Sequence, residues 1–308
     1  MKRFLITVFV TVLVIFTVGF FLPKEKTFTQ TVNSPIPFDG ISRVIVNKGL
    51  WKNWWPGKIL NDSTVSFNEQ NIHINTILLN GFRATIIDDD KNTQLDLQSI
   101  ATYNAETSIT LNTTIYLSSN PFAKVFQYLS AGKTEKMTTD LFNRLKNTLS
   151  DVKKIYGFDI RMGKVPNSSY VSVKQDFDHY PGNKELYKMI DEVKAYIASE
   201  NSKVVNAPIL NIVKENNQSY SAMLALASDR DLPTKGKFML KQMMLGNIVV
   251  AEVTGGPAKI EKCRQAVQFY VNDYRKVSPA IAFERMISNR LTTDSSRWVS
   301  TINYPVFQ

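Results

Sequence analysis

Residues 247–274, NIVVAEVTGGPAKIEKCRQAVQFYVNDY, decide the fold of the C-terminal half of this chain. The first seven residues are mostly apolar and β-branched, which is typical of a strand. The turn Gly255-Gly256-Pro257 follows, and from 258 to 274 apolar residues lie mainly near one side of a helix. A strand, a glycine-proline turn and a helix therefore follow one another without a long loop.

The same order of elements occurs twice, at a spacing of roughly 75 residues. The first copy predicts strands at 156–163 and 169–174, the turn Tyr180-Pro181-Gly182, a helix at 184–199, and strands at 208–213 and 219–227. The second copy predicts strands at 237–243 and 247–253, a helix at 258–274, and strands at 280–286 and 297–306. A duplicated β-β-α-β-β unit indicates a pseudo-symmetric sheet with helices on one face. The other face is left available as a cleft.

Residues 151–308 resemble the gyrase-inhibitor-like effector-binding domains of bacterial transcription activators. The resemblance rests on the order of short segments along the chain: Leu232-Pro233-Thr234-Lys235-Gly236-Lys237, Gly246-Asn247 with Gly255-Gly256-Pro257, Phe283-Glu284-Arg285, and Trp298-Val299-Ser300-Thr301-Ile302-Asn303-Tyr304-Pro305-Val306. It implies a cleft between two pseudo-repeats that takes a small molecule, in relatives often a lipophilic cation. Relatives often join this domain to a DNA-binding helix-turn-helix.

This chain departs from the family pattern in two ways. No helix-turn-helix sequence precedes the domain, so transcription control and a nucleic-acid partner are not expected. Where family members commonly carry a glutamate in the last strand, this chain has Thr301, and Asn303 replaces an aromatic residue. Alternation puts Thr301 and Asn303 on one face of that strand and Tyr304 on the other. A neutral or anionic ligand is therefore more plausible here than a cation.

The predicted ligand-binding residues combine aromatic walls with a few polar groups, as small-molecule clefts do. They are Tyr170, Tyr187, Tyr220, Glu284, Trp298, Thr301, Asn303 and Tyr304. Core packing is the simpler interpretation for any single aromatic residue among them. Glu284 is carried over from the resemblance as the acidic pocket residue. A buried carboxylate there could bind a cation or act as a general base, whereas a solvated strand carboxylate is the competing interpretation.

Residues 27–150 have the order of a helix-grip fold. Strands are predicted at 27–32, 63–67, 71–79, 82–88, 93–102 and 106–117, a short helix within 38–47, and a long amphipathic helix at 121–149. This order, with Trp51-x-x-Trp54-Trp55-Pro56 after the first helix, resembles the polyketide-cyclase or START-like family, which encloses an apolar cavity. The tryptophans could also form a membrane-interface or ligand-gating element. The fold class is α+β throughout.

Residues 4–22 carry no charge and are long enough to cross the hydrocarbon core of a bilayer. The run ends in Phe20-Phe21-Leu22-Pro23-Lys24, without the small residues of a signal-peptide cleavage site. A retained anchor over residues 1–26 is therefore favoured over a cleaved signal. Lys2 and Arg3 favour a cytoplasmic N-terminus and an extracytoplasmic location for the remainder, although Lys24 and Lys26 oppose this.

Composition excludes several classes of function. One cysteine and two histidines in 308 residues exclude an internal disulfide and the usual zinc sites, and no cofactor or metal is predicted. The charge of +10 forms no long basic run, so a solvated basic surface is expected. His73, His179 and the run Asp88-Asp89-Asp90 are interpreted as solvent-facing, and Cys263 as a buried structural thiol.

Three functions stay open from the sequence. The favoured one is a membrane-anchored, non-enzymatic protein with a small lipophilic or aromatic ligand. No nucleophile elbow, phosphate-binding glycine loop or zinc-protease motif occurs. The alternatives are a hydrolase of small electrophilic molecules with Glu284 as general base, and an envelope protein that binds a partner through the same surface.

Overall fold

In the computed structural model the chain divides into two units, Met1–Ile155 and Tyr156–Gln308. The structure describes residues 1–88, 91–103, 105–215, 219–278 and 280–307. Of the predicted acidic turn, Asp89 and Asp90 lie outside the described residues. The mixed α+β class is confirmed, with an apolar N-terminal helix and two antiparallel sheets.

The N-terminal unit follows the helix-grip order predicted from the sequence. Its elements are α1 (Lys2–Phe21), β1 (Glu25–Ser34), α2 (Phe38–Val46), a 3₁₀ turn (Lys48–Leu50), α3 (Trp51–Trp54), β2 (Lys58–Ile59), β3 (Thr64–Phe67), β4 (Gln70–Leu78), β5 (Gly81–Asp88), β6 (Lys91–Ala101), β7 (Thr107–Tyr116) and α4 (Pro121–Leu149). The strands form one antiparallel sheet in the order β1-β7-β6-β5-β4-β3-β2. β2 was not predicted from the sequence.

Strict alternation makes one face of this sheet apolar. In β7 every second residue from Thr107 to Ile115 is buried, so the strand turns one side to the core. The tryptophans of α3 and its C-cap are buried there, and the rings of Trp51 and Trp55 contact Phe82. Their indole N–H groups donate to the carbonyl oxygens of Ile45, Val44 and Ser66. The cluster therefore packs the short helices onto the sheet, which is the placement of core residues.

The long helix α4 begins at a well-formed N-cap. Asn120 Oδ1 accepts from the backbone N–H of Phe122 at 2.9 Å, and Pro121 occupies the first helical position. Only from Ala131 onward do apolar side chains of α4 enter the core. The first ten residues of α4 contribute no apolar side chain to that core.

The C-terminal unit contains the two predicted copies. The short helix α5 (Val152–Tyr156) ends at the first residue of this unit. The elements that follow are β8 (Ile160–Lys164), β9 (Ser169–Phe177), α6 (Asn183–Ser199), β10 (Ile209–Lys214), β11 (Tyr220–Ala227), β12 (Met239–Gln242), β13 (Asn247–Thr254), α7 (Pro257–Asp273), β14 (Phe283–Met286), a 3₁₀ turn (Ser295–Arg297) and β15 (Val299–Val306). The first strand of the first copy starts later than predicted. Asp151 instead accepts from the Lys153 N–H and starts the short helix α5.

The two copies exchange strands. The sheet order is β12-β9-β11-β10-β14-β15-β13-β8. β8, the first strand of the first copy, pairs with β13 of the second copy, and β12, the first strand of the second copy, pairs with β9 of the first. Each copy therefore completes the sheet of the other.

The turn between β13 and α7 requires glycine. Gly255 has φ of +145°, and a Cβ atom there would lie 2.8 Å from a side-chain carbon of Lys259. Its N–H donates to the Trp298 carbonyl oxygen at 2.8 Å. The turn thus directs α7 back onto the sheet, where Cys263 is fully buried as predicted, and burial raises the pKa of its thiol to about 12.

Candidate functional site

The eight-stranded sheet has one face covered by helix and one open face. On the covered face, Leu186, Ile190 and Val193 of α6 pack against Val171 and Leu224. Because side chains alternate along a strand, the neighbours of these strand residues point the other way. Tyr170, Ala225 and Ile209 lie on the open face, together with Phe283.

A cavity of about 480 Å³ lies on the open face. Its side chains are mostly apolar, and methionines are frequent among them. The lining residues are Tyr170, Ser172, Ile209, Leu210, Asn211, Met223, Ala225, Lys241, Gln242, Met243, Met244, Ala280, Ile281, Phe283 and Pro305. Six strands, β9, β10, β11, β12, β14 and β15, contribute to it, together with the loops after β12 and before β14.

Part of the open face is filled by the protein itself. Tyr170, Phe283 and Ile248 belong to one buried cluster with Val165 and Ile209. This cluster covers the sheet between the cavity and β13. The open face is therefore one asymmetric cavity beside a small core, although the strand order is pseudo-symmetric.

Tyr170 is the predicted site residue that lines the cavity. Its side chain is 1% exposed, and its hydroxyl lies beside the Arg285 guanidinium without a well-aligned hydrogen bond to any described residue. Burial raises the pKa of Tyr170, while the Arg285 guanidinium acts in the opposite direction. A buried hydroxyl beside a cation can donate to an acceptor that approaches it.

Arg285 lies on the same face of β14 as Phe283. It pairs in register with Thr301 on one side and with Ile209 on the other. Its Nε and Nη2 atoms are buried, and no acceptor for them is found in the described part of the chain. Buried donors without acceptors are costly, which makes this end of the face receptive to an oxygen acceptor.

Thr301 and Asn303 lie on the open face, as strand alternation predicts, because they pair with Arg285 and Phe283. Neither residue lines the cavity. Asn303 is buried, and its Nδ2 donates to the backbone oxygen of Thr301 at 2.8 Å and to Thr301 Oγ1 at 2.9 Å. The two side chains satisfy each other beside the cavity.

The other predicted aromatic residues do not line the cavity. Tyr187 packs against the core under α6, and its hydroxyl accepts from the Arg290 N–H at 2.8 Å. Tyr220 contacts Tyr180, with ring centroids 5.6 Å apart. Trp298 lies under the Arg290 guanidinium, and Tyr304 pairs with Val249 on the helix-covered face. These placements correspond to packing roles.

Glu284 lies on the helix-covered face, not in the cavity. It is 4% exposed and forms ion pairs with Arg290 and, at 3.7 Å, with Arg264 of α7. Arg290 Nη2 also donates to Ser300 Oγ at 2.8 Å. The assignment of Glu284 as the acidic pocket residue therefore does not match its placement, since the carboxylate is already paired with two arginines.

Sequence reasoning missed most of the cavity wall. Asn211 and Met223 face it because they pair across β10 and β11. Met243 and Met244 follow β12, and Met244 is exposed together with Leu245. The run Met243-Met244-Leu245 was the available signal, because consecutive exposed apolar residues in a loop often mark a binding surface.

The N-terminal unit has a second cavity of about 430 Å³ between its sheet and α4. Seven of its nine lining residues have polar or charged side chains, Asn68, Gln70, Lys133, Lys136 and Asp140 among them. The enclosed apolar cavity that the START-like resemblance implies stays a prediction. The C-terminal cavity is the stronger candidate for a lipophilic ligand.

No protein-family model and no curated protein sequence matches the chain. Among solved structures, it is similar to the EcmrR–DNA complex in EcmrR-RPo, with 15% identity over 60% of this chain and 72% of that chain and a TM-score of 0.44. An uncharacterized conserved protein from Listeria innocua is 13% identical over 48% of this chain and 92% of that chain, with a TM-score of 0.39. SAV2435 bound to tetraphenylphosphonium is 15% identical over 48% of this chain and 94% of that chain, with a TM-score of 0.33. At these TM-scores the similarities carry no conclusion about ligand or activity.

Proposed function

We propose that this protein binds a small lipophilic molecule, neutral or anionic, in the cavity on the open face of its C-terminal sheet. The observation that carries the proposal is the wall of that cavity, which is mainly apolar and encloses about 480 Å³. Small-molecule sites typically occupy about 300–1,000 Å³ and have such walls. Met223, Met243 and Met244 have flexible, polarizable side chains that adapt to ligands of different shape.

The charge of the site favours a neutral or anionic ligand. Among the described lining residues none is acidic, and Lys241 is basic. Arg285 lies beside Tyr170, and its Nε and Nη2 atoms are buried donors for which the described residues supply no acceptor. A lipophilic cation would meet like charge here, with no acidic side chain among the described lining residues to pair with.

We further propose that α1 anchors the protein in a membrane. By length and composition α1 is able to cross one, a property that signal sequences share. Lys2 and Arg3 precede the apolar run, which favours an extracytoplasmic location for the two units. A protease added to intact spheroplasts is expected to digest residues 27–308 while the N-terminus stays protected.

The hydrolase alternative has no supporting observation at the cavity. Its proposed base, Glu284, is paired with Arg290 and Arg264 on the other face of the sheet. The partner-binding alternative shares the cavity surface, and a lack of response to every small ligand would favour it.

The test is a thermal shift of the full-length protein in detergent with three classes of probe. These are tetraphenylphosphonium as the cation, a neutral naphthalene derivative, and 8-anilinonaphthalene-1-sulfonate as the anion. A ligand at about 100 times its dissociation constant adds about 2.7 kcal/mol to the free energy of unfolding. We expect the neutral and anionic probes to raise the melting temperature and the cation to leave it unchanged.

A pair of tryptophan variants tests whether the probes bind in this cavity, and a third variant tests the role of charge. Met223→Trp narrows the cavity with a bulkier side chain and is expected to reduce the shift, while Met162→Trp makes the same change on the helix-covered side of β8 and should retain it. Lys241→Gln is expected to weaken binding of the anionic probe more than binding of the neutral probe. Equal shifts in both tryptophan variants would place binding elsewhere and contradict the proposal.

A further inference from the structure

An apolar stripe on α4 adjoins the N-terminal helix. Phe122, Phe126 and Leu129 lie at i, i+4 and i+7 and therefore share one face of α4. Phe126 is 67% exposed and Leu129 is 74% exposed. Apolar core packing by α4 begins only at Ala131, so the fold of the N-terminal unit does not need this stripe.

The first turn of α4 packs directly against the last turns of α1. Gly19 is the buried residue of α1, and a Cβ atom there would lie 2.1 Å from the Pro121 carbonyl oxygen. Glycine at this position lets the two backbones approach closely. The rings of Phe16 and Phe122 are 6.0 Å apart, which makes the stripe continuous with the apolar surface of α1.

Three contacts, taken in sequence order, link residues 16–26 to residues 122–128 of α4. Phe122 contacts Phe16, Lys124 Nζ donates to the Leu22 carbonyl oxygen at 3.3 Å, and the Lys26 ammonium lies 4.8 Å from the Tyr128 ring centroid. Phe16 is six residues before Leu22, or about 9 Å along a helix. α4 therefore rises from the level of Phe16 toward the sheet.

We propose that the stripe Phe122, Phe126 and Leu129 lies in the interfacial layer of the bilayer that α1 crosses, so that α1 and the first turns of α4 enter the lipid together. This inference rests on the anchoring role proposed for α1. Interfacial helices bury apolar side chains about 5–10 Å into the boundary between headgroups and acyl chains. Lys26 and Tyr128 lie at the upper level, where lysine and tyrosine meet lipid headgroups.

The far end of the same sheet supplies a matched control. β1 pairs with β7 from Glu25 and Tyr116 near α1 to Ser34 and Thr107 at the other end. Ten strand residues span about 33 Å. Tyr103 lies beyond Thr107 and is fully exposed, so it is an exposed aromatic residue remote from α1.

The experiment uses the full-length chain in phosphatidylcholine–phosphatidylglycerol vesicles. Cys263→Ala removes the native thiol, and Val12→Cys, Phe126→Cys or Tyr103→Cys then carries one environment-sensitive NBD fluorophore. Doxyl groups at acyl carbon 5 or 12 of the lipid quench the fluorophore by depth. We expect carbon 12 to quench the label at 12 best and carbon 5 to quench the label at 126 best, with 103 quenched several-fold less than either.

The outcomes separate the two proposals. Quenching at 12 with none at 126 above the level at 103 overturns the stripe and leaves the anchor standing. No quenching at 12 overturns the anchor and with it the stripe. A label at 122 is expected to be quenched more deeply than one at 129, and equal depth at both would contradict the rise of α4 out of the lipid.

Discussion

Glu284 stabilises the C-terminal unit through charge pairing under the helices. Its carboxylate pairs with Arg290 and Arg264, and the Glu284 and Arg290 side chains are both 6% exposed. Removing one member of a buried pair leaves an uncompensated charge, at a cost of about 3–5 kcal/mol. We expect Glu284→Gln to lower the free energy of unfolding by about 3 kcal/mol, measured by calorimetry.

The double variant Glu284→Gln with Arg290→Gln tests the mechanism. If the cost comes from the unpaired arginine, the double variant should lose less stability than the two single variants added together. A Glu284→Gln protein within about 0.5 kcal/mol of the wild type would mean that the ion pair contributes little.

At the scale of residues, the sequence predicted which side a strand residue faces better than what it contacts. Alternation assigned Thr301 and Asn303 to one side of β15, and both lie on the open face. Glu284 and Phe283 likewise point to opposite sides of β14. The predicted role of Glu284, however, came from a family resemblance in position and not from its own contacts. The arginines that pair with it come from α7 and from the loop after β14, which no local pattern connects to it.

The start of α6 carries a pH-dependent charge cluster. His179 Nδ1 lies 2.6 Å from Asp178 and its Nε2 lies 3.1 Å from Glu185, which also accepts from the Gly182 N–H at 2.7 Å. Hydrogen bonds that the imidazole ring donates to the carboxylates of Asp178 and then Glu185 raise the pKa of His179 above its ordinary value of 6.5. Because the folded pKa is the higher one, the cluster stabilises the fold below about pH 6.5 and loses this contribution as pH rises through the folded pKa.

We therefore expect His179→Gln to lower the melting temperature more at pH 6 than at pH 8. Thermal unfolding of wild type and variant at both pH values measures the difference. The cluster is exposed, so a small effect is expected, and an equal difference at both values would show that His179 does not act through its charge.

At the level of elements, hydrophobic period predicted the long helices α4, α6 and α7 and nearly every strand, while α1 was predicted from its uncharged apolar run. α4 and α6 match their predicted bounds to within one residue. The strands β12, β14 and β15 begin two or three residues later than predicted. Strand ends depend on the length of the partner strand, which the sequence of one strand does not contain.

At the scale of the molecule, the exchange of β8 and β12 joins the two copies. Gly236 lies in an exposed turn between them, with open space around its Cα. We expect a chain with a protease site inserted after Lys235 to stay in one piece after cleavage, because β8–β13, β9–β12 and β10–β14 all pair across the cut.

Size-exclusion chromatography measures the result. The two fragments should elute together in buffer and separate in concentrated urea. Separation in buffer would contradict the exchanged pairing. The exchange itself was beyond prediction, because both copies have the same local pattern whether a first strand pairs within its own copy or with the other.

The same exchange determines when the C-terminal unit can form during synthesis. Ile160 pairs with Ala251, 91 positions later in the chain, so β8 leaves the ribosome long before its partner strand exists. Contacts between distant segments close slowly, and an unpaired strand can associate with another chain in the meantime. The nascent chain therefore has its greatest need of chaperone protection between the emergence of β8 and that of β13.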